Sequence, residues 1–155
     1  MYIGDFEKVA SWDSQAVKGC KRFLDRVWSL SDCVIDGDDY RKELESEFHK
    51  TVKKVTEDFE KLAFNTAISQ MMIFVNAVYK EGKCPRAYAE GLIKMLSCIC
   101  PHIGEELWSI LGHEGTIAYE PWPVHDEAKT VDDCLEMPVQ INGKVKEKLN
   151  VSISL

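Results

Sequence analysis

Lys18, Arg22 and Arg26 recur every fourth residue, which stacks three cations along one stripe of a helix, an arrangement suited to binding phosphates. An arginine can fork onto two phosphate oxygens, and a lysine one turn earlier adds a looser contact. The same residues also fit a solvated face in which Arg22 and Arg26 bracket Asp25, and spacing alone leaves both possibilities open. Trp28 closes this helix, and its type suits the core more often than a platform for stacking bases. Elsewhere the chemistry thins out. His102-Ile103-Gly104-Glu105 differs by one residue from a His-Ile-Gly-His signature that binds ATP, but that signature needs a fold with parallel strands, and here the tetrapeptide lies in a helical run. Pro101-His102 is better explained as a helix start, with Glu105 and Glu106 favoured near its positive end. Cys98 and Cys100 would stand about 200° apart on a helix, too far round to clamp one ion, and the four histidines are scattered, so no metal site is expected. With no nucleophile elbow, glycine-rich phosphate loop or Cys-His pair, no catalytic residue is expected either.

The elements that carry these residues follow from hydrophobic spacing. Ala16, Val17, Cys20, Phe23, Leu24, Val27 and Leu30 predict a one-sided helix over Ser14 to Leu30. Residues 31–39 form a loop in which Asp38 or Asp39 can cap a second helix, running through Leu44, Phe48, Val52, Val55, Phe59 and Leu62 with a charged, solvated outer face. Asn65 to Tyr79 leaves little polar surface and predicts a helix buried on most sides. Gly82 and Pro85 end it, a fourth helix runs through Leu92 and Leu96 to Cys100, and Pro101 to Leu111 is a fifth, or a kinked continuation closed by Gly112. After Gly115 the helical period stops, and Tyr119-Glu120-Pro121-Trp122-Pro123 is extended, so the chain is expected to leave the bundle there. Asn142-Gly143 between alternating runs, Val139 and Ile141 before it and Val145, Leu149, Val151 and Ile153 after it, predicts a β-hairpin. The expected division is a linker over 1–13, a mainly α bundle of four to five helices over 14–118, an extended connector over 119–134, and a hairpin over 135–155 that begins a truncated domain.

A chain of 155 residues with 45% hydrophobic content can bury a proper core. It lacks a signal-like start or an apolar run long enough to span a membrane, and its six cysteines suit reduced thiols in the cytoplasm. The formal net charge of -7 excludes an autonomous, uniformly basic nucleic-acid binder. Any contact with RNA has to be a local stripe on an acidic body.

Four stretches resemble, in order, the helical anticodon-binding domain of class Ia aminoacyl-tRNA synthetases: Arg22-Phe23-Leu24-Asp25-Arg26-Val27-Trp28, Phe64-Asn65-Thr66-Ala67-Ile68-Ser69, Phe74-Val75-Asn76, and Pro101-His102-Ile103-Gly104-Glu105-Glu106-Leu107-Trp108. Valyl, isoleucyl and methionyl enzymes share that bundle. Tyr119-Glu120-Pro121-Trp122-Pro123, Asp126-Glu127-Ala128 and Val139-Gln140-Ile141-Asn142-Gly143-Lys144-Val145 resemble the leucyl branch in its bacterial form, and Met1 to Trp12 looks like the segment after the catalytic Lys-Met-Ser-Lys-Ser loop. Lys146 departs from the arginine common there, which keeps the charge and loses the fork. The resemblance implies a tRNA-docking part, with Lys18, Arg22, Arg26, Trp28, Lys144 and Lys146 towards tRNA(Leu). It also implies that catalytic and editing domains, with ATP and Mg, lie elsewhere in the same polypeptide. Because the apolar stripes can satisfy one another and no ligand set exists, the chain itself is expected to be a monomer without cofactors. The rival from another class is a non-enzymatic helical interaction module, which the acidic balance favours slightly and the expected truncated hairpin argues against.

Overall fold

The computed structural model describes Gly4, Val9, residues 11–37, Tyr40, residues 42–130, and the backbone of residues 134–141 and 144–152. The protein is mainly helical, with α1 (Ser14–Leu30), α2 (Lys42–Glu60), α3 (Phe64–Glu81), α4 (Arg86–Ser97) and α5 (Pro101–Ile110). The fold class expected from the sequence is the one observed.

Local chemistry sets the helix ends. Asp13 caps α1 by accepting the Gln15 amide at 2.8 Å, Pro101 occupies the first turn of α5, and Gly82 ends α3 at a φ of 77°, where a Cβ would be strained. The second helix stops two residues short of the expected Leu62. Leu62 takes a φ of 57° and the Ala63 amide turns back to the Asp58 carbonyl at 2.7 Å, so the turn into α3 closes in three residues. The core lies where α2, α3 and α4 meet, around Val52, Val55, Met71, Phe74, Leu92 and Met95, all fully buried. Phe48 of α2 stacks on Tyr88 of α4 with ring centres 4.3 Å apart and leans on Phe74 at 5.6 Å. The Tyr88 hydroxyl shares a hydrogen bond with that of Tyr40, and burial together with this bond pushes its pKa up.

The loop expected over 31–39 contains a 3-10 turn, Ser31–Cys33, and a two-residue strand β1 (Val34–Ile35) that pairs in parallel with β2 (Cys84–Pro85). Asp38 and Asp39, the expected caps of α2, lie outside the described residues. Arg86, opening α4, donates to Asp36 and, at 2.9 Å, to the Leu111 carbonyl ending α5, so one side chain ties three corners together.

Two expectations are overturned together. The chain does not leave the bundle after Gly115, and the charged side of α2 is not a solvated outer face. Residues 116–130 run back first along α5 and then across α2: Glu105 of α5 accepts from the Thr116 hydroxyl and the Ile117 amide, and the Trp122 indole donates to Thr56 of α2 at 2.8 Å and leans on Phe59 at 5.4 Å. Lys53 then meets Glu127 at 2.6 Å and Lys129 meets Glu45 at 2.7 Å. The charges of α2 that looked like a solvation signal are partners for this segment. His49 joins them, its Nδ1 accepting the Asp126 amide at 3.1 Å.

A backbone amide can only donate, so Nδ1 of His49 must be unprotonated for this bond to exist. Burial, then the nearby Lys129, lowers the His49 pKa, with His125 adding to the effect and Glu45 and Asp126 opposing it. The folded protein therefore binds fewer protons here than the unfolded chain. Stability from this site is present above the unfolded value near 6.5 and is lost as pH falls through the lower folded value. Thermal melts at neutral and mildly acidic pH are expected to show an acid loss larger in the wild type than in His49→Asn, which keeps an acceptor and cannot titrate. Identical pH dependence in the two proteins would refute the assignment.

Beyond the bundle, β3 (Cys134–Ile141) pairs antiparallel with β4 (Lys144–Ser152), the expected hairpin with an earlier start. Asn142-Gly143, the residues that predicted it, lie outside the described residues.

Candidate nucleic-acid interface

Helix α1 buries Phe23, Val27 and Leu30, and its basic stripe runs from the exposed side at Lys18 and Arg22 to the edge of the buried side at Arg26. Lys18 and Arg22 are exposed, and among the described residues neither takes part in an ion pair. Arg26 is half-buried and differently placed. Its Nη1 donates to Asn76 Oδ1 of α3 at 2.6 Å, its guanidinium lies over the Tyr79 ring with 4.4 Å from Cζ to the ring centre, and the Tyr79 hydroxyl donates to the Arg26 carbonyl at 2.9 Å. Asp25, which could have neutralised the arginines, is paired with Lys21 at 2.7 Å. A solvated stripe in which Arg22 and Arg26 share Asp25 is therefore not what forms.

Trp28 is 43% exposed, so it is not the core residue its type suggested. It also stands about 200° around α1 from Arg26 and cannot share one flat surface with it. Lys144 and Lys146 lie on β4, where Lys144 is opposite Ile141 and Lys146 is the extra residue at a register shift between Val145 and Glu147. Their side chains fall outside the described residues. Of the six residues singled out in the sequence, the structure gathers Lys18, Arg22 and Arg26 on one flank of α1.

Asn76 and Tyr79 were missed. They belong to the helix expected to be buried on most sides, yet Thr66, Ser69, Ile73, Asn76 and Lys80 are all exposed, at the three-and-four spacing of one face. The signal was available as polar residues recurring at helical period inside an apolar run. This face of α3 meets the Arg26 flank of α1, and together they offer cations, an amide and a hydroxyl to an anionic, hydrogen-bonding partner.

The one tetrapeptide that resembles an ATP signature is not placed as such a signature would be. His102-Ile103-Gly104-Glu105 forms the first turn of α5, where Gly104 serves packing: a Cβ on it would lie 2.7 Å from Ser97 Cβ and 3.0 Å from Ser97 Cα. Cys98 and Cys100 are not spaced around one helix as expected, because α4 ends at Ser97 and both lie in the turn to α5. Cys98 is exposed, while burial and the neighbouring Cys20 push the Cys100 thiol up. Among the described residues no group of three or more His, Cys, Asp or Glu could hold a metal ion.

A family model described as the anticodon-binding domain of tRNA ligase matches residues 41–155. The chain belongs to that family. The anticodon-binding domain is 50% identical over 153 residues, 99% of its length, to a leucine--tRNA ligase of Alkaliphilus oremlandii (strain OhILAs). It spans only 19% of that relative. Among solved structures it is similar to the agnB2 LeuRS of Agrobacterium radiobacter K84, determined as a ternary complex with tRNA and LeuAMS. The TM-score is 0.75 at 25% identity, covering 99% of the domain and 23% of the LeuRS chain. Helix α1, with its basic flank, precedes the residues matched by the family model and is covered by the match to the ligase.

Proposed function

We propose that this domain docks tRNA(Leu) in a leucine–tRNA ligase whose remaining parts, including the catalytic and editing domains, belong to the same polypeptide. The observation that carries this is the 50% identity to a leucine–tRNA ligase running through nearly the whole chain, basic helix included. The whole ligase would join leucine to tRNA(Leu) through a leucyl-adenylate made from ATP with Mg, in the cytoplasm. This chain supplies none of that chemistry. Its contribution is position, because cations and polar groups facing phosphates set register rather than read bases. The bundle over 14–118 acts with the connector over 119–134 as a monomeric docking body, and Lys144 and Lys146 add cations from the hairpin over 135–155.

Titrating the purified chain into a leucine-accepting tRNA at several salt concentrations tests this. Binding is expected to weaken as salt rises, with a log-log slope of about 0.7 to 0.9 for each phosphate neutralised. Absence of binding at low ionic strength, or binding insensitive to salt, would overturn the docking role and favour a protein-binding module.

A further inference from the structure

We infer that Asn76 and Tyr79 are positioning residues that hold the Arg26 guanidinium ready for a tRNA phosphate; this rests on the docking role proposed above. An arginine on a helix surface normally samples many rotamers, and fixing one of them on binding weakens affinity. Here the fixing is done before any partner arrives. Asn76 Oδ1 takes one N–H from Nη1 at 2.6 Å, leaving four of the five guanidinium donors for another acceptor. The guanidinium lies over the Tyr79 ring with 4.4 Å from Cζ to the ring centre, a cation–π contact that restrains it. Tyr79 is itself held, because its hydroxyl donates at 2.9 Å to the backbone carbonyl of Arg26. The three residues thus form a closed loop between α1 and α3. Asn76 and Tyr79, three apart on α3, face the same side of it, as this loop requires.

Among the described residues no carboxylate completes the arrangement. Among the described residues no ion pair involves Arg26, and the nearest acid in sequence, Asp25, is occupied by Lys21. A staple meant only to join two helices would gain most from a carboxylate opposite the guanidinium, which would also cancel its charge. Neutral Asn76 and Tyr79 orient the group and leave the charge intact. That is what a phosphate site needs.

The test is a double-mutant cycle read as tRNA affinity of the chain, with helical content checked by circular dichroism. Arg26→Ala is expected to weaken binding about tenfold or more, and Asn76→Ala and Tyr79→Leu about 2- to 10-fold each, the range for immobilising one long side chain. Tyr79→Phe keeps the ring and should retain most of the affinity. In the Arg26→Ala background, Asn76→Ala and Tyr79→Leu should have no further effect. If Arg26→Ala weakens binding while Asn76→Ala and Tyr79→Leu leave it intact, the positioning role is wrong and the docking role stands. Should Arg26→Ala itself change nothing, the docking role falls for this surface. A loss on Asn76→Ala that persists without Arg26 would make Asn76 a direct contact and also overturn the inference. Asn76 is exposed, so its variant reports even if Tyr79→Leu loosens α1.

Discussion

Replacing Arg22 and Arg26 together by alanine is expected to raise the Michaelis constant for tRNA(Leu) by roughly 10- to 100-fold while leaving leucine activation unchanged. The assay places this chain in the Alkaliphilus oremlandii ligase, in place of the matching residues, so that adenylate formation reports an intact catalytic part. The magnitude follows from charge-assisted hydrogen bonds worth about 1.5–3 kcal/mol each, discounted because Arg22 is exposed and Lys18 remains one turn away. Each lost phosphate contact should also flatten the log-log salt dependence by about 0.7 to 0.9. If the arginines were ordinary surface residues they would contribute about 0 to 1 kcal/mol to stability and nothing to tRNA affinity. Arg22→Ala alone separates these views, because Arg22 has no ion pair among the described residues and its removal costs the bundle little. An unchanged Michaelis constant and salt slope in the double variant would discard the interface.

Gly104→Ala is expected to destabilise the domain by about 2–3 kcal/mol, as overpacking does where the neighbour cannot yield. For a domain of this size that lowers the melting temperature by about 5–10 °C. The added methyl would meet Ser97 at both Cβ and Cα, and a backbone atom cannot rotate away. Helix α5 would have to lift off α4, disturbing the stacked pair of Trp108 and His113, whose ring centres are 3.6 Å apart. Ser97→Gly in the same protein removes the nearer of the two obstacles and should restore part of the loss. A fully stable Gly104→Ala, or no rescue by Ser97→Gly, would contradict this packing. The result also bears on function, since it explains the glycine of His102-Ile103-Gly104-Glu105 by helix contact rather than nucleotide binding.

Much of the fold was legible in the residues. Pro101, Gly82 and Gly112 punctuate helices through fixed or permissive backbone angles, which are properties of single residues. The apolar periods of α1 and α4 marked which faces had to be buried, the apolar run of α3 marked a helix set in the core, and alternation around Asn142-Gly143 marked a hairpin. The basic flank at Lys18, Arg22 and Arg26 was visible for the same reason, as a spacing of four within one helix. Where this failed, the cause was two meanings for one pattern. Charges on α2 read as a solvated face because Lys and Glu at the surface normally are, and Trp28 read as core because large aromatic residues usually are.

The sequence by itself determined the helices, their order and the apolar side of α1, because those depend on residues within a turn or two of one another. Tertiary structure alone decided what each face meets. Arg26 finds Asn76 fifty residues away, Lys53 finds Glu127 seventy-four residues away, and Val34 pairs with Cys84 across two helices. Such partnerships carry no local periodicity: each becomes favourable only once the core of α2, α3 and α4 has brought the loops and flanks together. The same holds for the candidate interface, whose cations were written in α1 and whose orientation comes from α3.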